Sequence, residues 1–283
     1  MNIAILGSAG QIGAYLKEYL KEKGHEVVGV DIVDGPQNDL RVTPNTYVED
    51  VIKKSDFVFF LSFDVGGSRY LKKYQHTFEF INNNTRMMAN TFALLEKYNK
   101  RFVFASSQMS NMSYSPYGVM KRVGELHTTA LNGLIVKFWN VYGIEKDMEK
   151  AHVITDFIRK GFEEKEFEMM TDGTEERQFL YAEDCCEALE AVMENYTDFK
   201  PEDPLHITSF HSNTIREVAN IIQGCFSMEG MHDVNIKSGL AKDSVQMDKR
   251  NAADTFILDW WIPKTTIDNG IRQVFNEMKK EYL

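Results

Sequence analysis

The sequence has little of what would place it outside the ordinary globular proteins. Its three cysteines are Cys185, Cys186 and Cys225, two of them adjacent. They cannot build a disulfide framework, and no C-x-x-C pair is present for a redox or zinc site. Such usage fits a reducing, cytoplasmic setting. Only 6 prolines occur in 283 residues, with no Pro/Gly/Ser-rich stretch, so the second half is expected to fold back onto the first rather than hang from a linker. No apolar run approaches the roughly 18 residues of a membrane span. The N-terminal residues lead straight into glycines without a basic flank or cleavage site, so neither a membrane partner nor a signal peptide is expected. Basic side chains are the minority, 32 against 42 acidic, for a formal charge of -10. This argues against nucleic acid as a partner, because duplex binding rests on phosphate neutralisation. The 7 histidines show no H-E-x-x-H or comparable spacing, and no metal is expected.

What is present is a strongly alternating first half. Asn2–Leu6 reads as a short apolar strand, residues 11–23 carry helical periodicity, and 26–31 form a second β-branched strand, together one βαβ unit. Strand-like runs recur at 57–61, 102–105 and Leu134–Phe138, with helical stretches at 83–98 and 117–131 between them. Alternation of this kind predicts an α/β fold with a parallel sheet and helices on both faces. Beyond Gly143 the pattern becomes a helix near 152–164, a loop over 172–177, a helix at 184–195 and a strand at 205–208.

Three groups of residues point to chemistry. Gly7, Gly10, Gln11, Ile12 and Gly13 lie in a G-x-x-G-x-x-G turn between the first strand and helix, where bare backbone N–H groups and a helix N-terminus suit a pyrophosphate. Asp31 ends the second strand 18 residues past Gly13, where a carboxylate can accept hydrogen bonds from ribose hydroxyls. Ile32 and Val33 follow it, with no cation for a 2′-phosphate, so the expected cofactor is NAD rather than NADP. Asp39 and Leu40 lie where an adenine-contacting loop would fall, and read equally well as a solvated turn. A Tyr four residues before a Lys on one helix lets the ammonium lower the phenol pKa. That spacing occurs four times, at Tyr19/Lys23, Tyr117/Lys121, Tyr142/Lys146 and Tyr196/Lys200. Only Tyr117/Lys121 follows a strand ending in Ser106 and Ser107, at the sheet edge where open α/β folds bind ligands.

Taken in order, the glycine turn, Asp31, Ser106-Ser107, Tyr117 to Lys121 and Phe138-Trp139-Asn140-Val141-Tyr142-Gly143 resemble the extended short-chain dehydrogenase/reductases that act on nucleotide sugars. The likeness continues through Asp172-Gly173-Thr174, the run from Arg177 to Asp184, and Trp261-Ile262-Pro263-Lys264. The resemblance implies a Rossmann doubly wound parallel sheet with a smaller C-terminal α/β substrate-binding domain. Residues 1–142 would bind NAD, with the sheet completed by parts of 179–208, and residues 143–283 would bind substrate. It further implies that Ser107, Tyr117 and Lys121 form a catalytic triad, with Tyr117 and Lys121 also touching the cofactor. Asn140, Arg177 and Arg250 would hold the nucleotide diphosphate of the substrate, and a homodimer would form through the helices at 83–98 and 117–131.

Gln108 and Met109 stand in the substrate pocket where sugar 4,6-dehydratases carry an acidic pair. Neither can protonate a leaving hydroxyl. The expected activity is therefore an NAD-dependent nucleotide-sugar epimerase working through C4 oxidation and re-reduction. A 4-dehydrogenase or 4-keto reductase comes next and a 4,6-dehydratase behind it. Outside enzymes, the alternative is a dinucleotide-binding sensor.

Overall fold

The chain begins with β1 (Asn2–Leu6), α1 (Gln11–Glu22) and β2 (Glu26–Val30), followed by α2 (Thr46–Lys54), β3 (Phe57–Phe60), α3 (Ser68–Tyr74) and α4 (Phe78–Lys97). The first half closes with β4 (Arg101–Ser107), α5 (Pro116–Ala130) and β5 (Leu134–Phe138). Then come β6 (Asn140–Tyr142), α6 (Val153–Glu164), β7 (Glu166–Glu168), β8 (Glu176–Tyr181), α7 (Ala182–Glu194) and β9 (Leu205–Ile207). The last elements are β10 (Ser212–Thr214), α8 (Ile215–Met228), β11 (Asn235–Lys237) and α9 (Ile267–Lys279). This computed structural model describes residues 1–241, 243 and 252–282.

Six strands pair in parallel in the order β2-β1-β3-β4-β5-β9. The chain winds outward from β1 to β2 and then returns to β3 on the other side, a doubly wound Rossmann sheet whose crevice opens at the C-terminal ends of β1 and β3. Both faces are covered, and the period of two in the strands shows how. Ile3, Ile5, Phe57, Phe59 and Val103 face Leu16 and Leu20 of α1 and Cys185 and Leu189 of α7. Ala4, Leu6, Val58, Phe60 and Phe104 face Val48 and Ile52 of α2 and Met88 and Phe92 of α4. Cys185 and Cys186 are thus small buried fillers of the first core.

The sixth strand, β9, comes from the second half and pairs with β5 through Val136 and Leu205. Apart from α7 and the segment around Trp261, which pack on the parallel sheet, the rest of that half joins β6 in a core of its own. The sheet β10-β8-β6 and the pair β11-β7 pack with α6, α8 and α9 around Phe157, Ile158, Phe226 and Phe275. Arg177, placed in a loop by its Gly- and Asp-rich surroundings, lies instead in β8, paired opposite Asn213. The pairing with β6 and β10 extends a segment whose composition alone reads as a turn. Among the described residues no helix is long and apolar enough to cross a membrane.

Candidate active site

The turn from β1 into α1 is built by glycines for two different reasons. Gly7 has φ +90, and a Cβ on it would sit 2.7 Å from the Ser62 amide nitrogen; a Cβ on Gly13 would sit 2.0 Å from the Gly7 carbonyl oxygen. These two glycines let strand, turn and helix close on one another. Gly10 differs: a Cβ there would meet only the Gly7 oxygen at 3.4 Å. Its missing side chain leaves the exposed face of the turn bare for a ligand. Gln11 is turned inward, where its amide can donate to the Val141 carbonyl at 3.2 Å and accept from the Gly143 N–H at 3.3 Å. It braces the turn against β6, while Ile12 packs on the first core.

Asp31 closes the cradle. Its carboxylate accepts from the Ala9 N–H at 3.1 Å and from the Val33 N–H at 3.3 Å, so it stands against the glycine turn at the end of β2. Ile32 and Val33 beyond it are exposed and apolar. A bare N-terminal helix turn beside a half-buried carboxylate fits a dinucleotide whose pyrophosphate lies over Gly10 and whose ribose hydroxyls meet Asp31. Asp39 sits further along and is engaged otherwise. Both of its oxygens are taken by the Arg41 guanidinium at 2.9 and 3.0 Å, which holds the carboxyl below its usual range. Leu40 is buried in the second core, and its carbonyl accepts from Asn90.

The other groups converge at the end of β4. Ser107 is its last residue, and its hydroxyl accepts from the Met109 N–H at 3.1 Å, starting a tight turn over Gln108–Asn111. Ser115 then caps α5 by accepting from the Gly118 N–H, and Pro116 occupies the first helical turn, where its lost N–H costs nothing. Gly118 lets α5 start directly against that turn, since a Cβ there would lie 2.2 Å from the Met109 carbonyl oxygen. The result turns Tyr117 toward Ser107, whose hydroxyl favours the charged phenol, with Lys121 one helical turn further along α5. Gln108 and Met109 are both buried beside them, Met109 in an apolar cluster with Tyr117.

The electrostatics differ from the simple expectation of an ammonium lowering a phenol. Lys121 donates to the Ala105 carbonyl at 2.6 Å and lies 3.8 Å from the centre of the Phe63 ring. No hydrogen bond joins it to the Tyr117 hydroxyl among the described residues. Burial pushes Tyr117 up to about 12, the Ser107 hydroxyl offsetting only part of that. Burial likewise pulls Lys121 down to about 7, against the opposing pull of Glu125. The physical reason is desolvation, which penalises the charged form of each group.

The structure brings to this place three residues that were given no role in the site from the sequence, although Asp64 opens an Asp64-Val65-Gly66-Gly67 run similar to the GG loop of GDP-mannose-type enzymes. Phe63, from the loop after β3, packs edge-to-face on Tyr117 with ring centres 5.6 Å apart. Asp64 beside it accepts from Tyr70 at 2.6 Å, Asn83 at 3.1 Å and Lys150 at 3.2 Å, which ties that loop to the segment before α6. Burial opposes the Asp64 charge, but these partners hold its carboxyl below the usual range. Glu125, one turn past Lys121, is buried against the Ser106 hydroxyl at 2.6 Å, Arg122 at 2.7 Å and Lys137 at 3.3 Å. A period of four from Lys121 was the only signal in the sequence for Glu125.

Two of the expected substrate residues line a separate cavity of about 110 Å3, which Gln108 and Met109 do not reach. Asn140 and Arg177 are both on its wall, joined by Arg69, His152, Asp156 and Asp243. Asn140 donates to the Gln178 carbonyl at 3.3 Å, and Arg177 pairs with Asp243. Arg250 lies outside the described residues. Ser107, Tyr117 and Lys121 do not line this cavity, so the candidate site has two parts, a buried Ser107–Tyr117–Lys121 cluster at the sheet edge and a cavity of mixed polar and apolar lining against β6, α6 and β8.

A family model described as NAD dependent epimerase/dehydratase family matches residues 3–207. The chain is similar to the uncharacterized UDP-glucose epimerase YtcB of Bacillus subtilis (strain 168), 26% identical over 68% of this chain and 72% of that protein. It is similar to GDP-mannose 3,5-epimerase 1 of Oryza sativa subsp. indica, 26% identical over 99% of this chain and 82% of that one. In fold it is similar to the UDP-N-acetylglucosamine 4-epimerase of Methanobrevibacter ruminantium M1, solved in complex with UDP-N-acetylmuramic acid. The TM-score is 0.81 at 19% identity, covering 99% of this chain and 98% of that chain.

Proposed function

The chain belongs to the NAD dependent epimerase/dehydratase family, and from that premise we propose that it is a nucleotide-sugar epimerase acting through the sugar C4 hydroxyl. The observation that carries this reading is the buried grouping of Ser107 at the end of β4 with Tyr117 and Lys121 on α5. The Gly10 turn and Asp31 would hold NAD, which would supply the hydride acceptor and then donor, and the positive charge of its oxidised ring. Lys121 would hold a ribose hydroxyl of that cofactor. Tyr117 takes the proton from the sugar hydroxyl and later returns it. Ser107 donates a hydrogen bond to the same sugar oxygen and orients it.

Gln108 and Met109, buried beside Ser107, support epimerisation over water loss, because neither side chain can act as a general acid toward a leaving hydroxyl. Asn140 and Arg177 hold the diphosphate in the cavity, a role suited to the planar fork of arginine. Residues 1–142 with β9 form the cofactor half, and the remainder of 143–283 the substrate half. The exposed Val119, Val123 and Leu126 of α5, with Phe78 and Ile81 of α4, support a homodimer through these helices.

The test is Tyr117→Phe assayed on a panel of UDP-, GDP-, CDP- and dTDP-sugars, with product epimers identified by NMR. The expected result is a loss of turnover of roughly 10²–10⁴-fold with NAD binding retained. Near wild-type turnover in the variant refutes the assignment, and a dehydrated or permanently oxidised product refutes epimerisation.

A further inference from the structure

His152 is not used by the mechanism above, yet it stands on the wall of the substrate cavity beside Asn140 and Arg177. It occupies the residue just before α6 and caps the helix with no side-chain hydrogen bond. Glu145, from the loop after β6, grips it twice. One carboxylate oxygen accepts from the His152 backbone N–H and the other lies on the ring Nδ1, both at 2.7 Å. This double grip fixes the ring and assigns the Nδ1 proton to the carboxylate. The opposite ring edge, Nε2, makes no hydrogen bond among the described residues. A carboxylate–imidazole pair held this way turns its positive end away from the carboxylate.

Several of the other charged groups around the cavity are paired or hydrogen-bonded. Asp156 on α6 meets Arg69 of α3 and Lys160, each at 2.9 Å. Arg177 of β8 meets Asp243, and the Glu175 carboxylate accepts from Thr171. Lys150, on the segment before α6, is bound to Asp64. The remaining acidic side chain on the wall is Glu168, an exposed residue of β7. Glu145 therefore sets the charge of His152. Burial opposes the imidazolium, but the carboxylate outweighs it and raises the ring above its ordinary 6.5.

We infer that His152, held by Glu145, donates from Nε2 to a phosphate oxygen of the substrate diphosphate, completing with Asn140 and Arg177 a three-sided grip on that group. The inference rests on the nucleotide-sugar reading above. It makes substrate binding depend on pH through a residue outside the reaction centre. A phosphate diester is the fitting acceptor because a charge-assisted hydrogen bond to it is about twice as strong as one to a neutral hydroxyl.

Isothermal calorimetry on the NAD-loaded protein tests this, with UDP-glucose, GDP-mannose, CDP-glucose and dTDP-glucose as probes at pH 6 and pH 9. The diphosphate of these nucleotide sugars keeps its two negative charges across that range, so its own protonation does not change the affinity, and CDP-glucose, whose base does not titrate there, is the control for ionisation of the other bases. The nucleotide sugar bound best by the wild type is expected to bind more tightly at pH 6 than at pH 9. His152→Gln should weaken binding about tenfold at pH 6 and remove most of the pH dependence. Glu145→Gln should keep the ring in place and move the binding midpoint to lower pH. Titration of Lys121, in the other part of the site, is common to all three proteins and cancels in their ratios.

If the wild type binds a nucleotide sugar and His152→Gln matches it in affinity and pH dependence, this inference falls and the functional reading stands. If the wild type binds none of the probes, both fall.

Discussion

Glu125 offers a quantitative test of the electrostatics beneath the reaction centre. Replacing it by glutamine keeps the shape and a hydrogen bond to Ser106 but removes the charge that balances Lys137 and Arg122. Removing one member of a fully buried ion pair costs about 3–5 kcal/mol. The Arg122 side chain is 56% exposed and that of Lys137 19% exposed, so water recovers part of this and the expected loss is ~2 kcal/mol. For a chain of this size that lowers Tm by on the order of 4–8 °C, measured by calorimetry at pH 7. Burial opposes the Glu125 charge, but Ser106, Arg122 and Lys137 together hold the carboxyl below its ordinary 4.5. The folded-state value is thus below the unfolded one. Its stabilisation is complete above pH 4.5 and is lost as pH falls through the folded value. The Tm gap between wild type and Glu125→Gln should therefore close on acidification, as far as both proteins remain folded. Glu125 also raises Lys121, so the variant should lose the Lys121 ammonium at lower pH and shift the alkaline limb of kcat/KM downward. A Tm within about 1 °C of wild type at pH 7, or a gap that stays constant into acid, refutes this reasoning.

Other measurements probe the remaining parts. Lys121, with a folded value near 7 against an ordinary 10.5, binds its proton more weakly folded than unfolded. Without cofactor, the wild type should gain stability relative to Lys121→Met as pH rises from 7 toward 10, and a falling or flat difference in Tm contradicts the burial argument. The two glycine roles separate by substitution. Gly10→Ala should leave Tm unchanged while weakening NAD binding at least tenfold, because its methyl enters only the open face. Gly13→Ala, with its methyl 2.0 Å from the Gly7 oxygen, should lower both. Equal Tm losses in the two variants, followed by thermal melts, contradict that division. The Tyr117→Phe and His152→Gln measurements complete the set.

The sheet was legible because its strands are apolar on both faces and its helices intervene at regular spacing, a pattern written locally in residues such as Phe57 to Phe60. The short helices α2 and α3 and, apart from β9, the three-residue strands of the second half were not. Elements that short repeat a hydrophobic pattern too few times to stand out, and pairing such as Asn213 with Arg177 exists only once distant segments meet.

The same division holds for the site. The sequence by itself determined the groupings that the covalent chain enforces: the glycine turn with Asp31 at the end of the next strand, and Tyr117 with Lys121 one helical turn apart. Spacing along one strand or one helix turn sets those distances whatever the rest of the chain does. Tertiary structure alone decided that Leu40 packs in the core, that Asp39 is spent on Arg41, that Lys137 of β5 meets Glu125 of α5, and that Glu145 turns His152 onto the wall holding Arg177. It also decided the direction in which Tyr117 and Lys121 titrate, because desolvation depends on how many distant side chains close over a group, and no local pattern records that count.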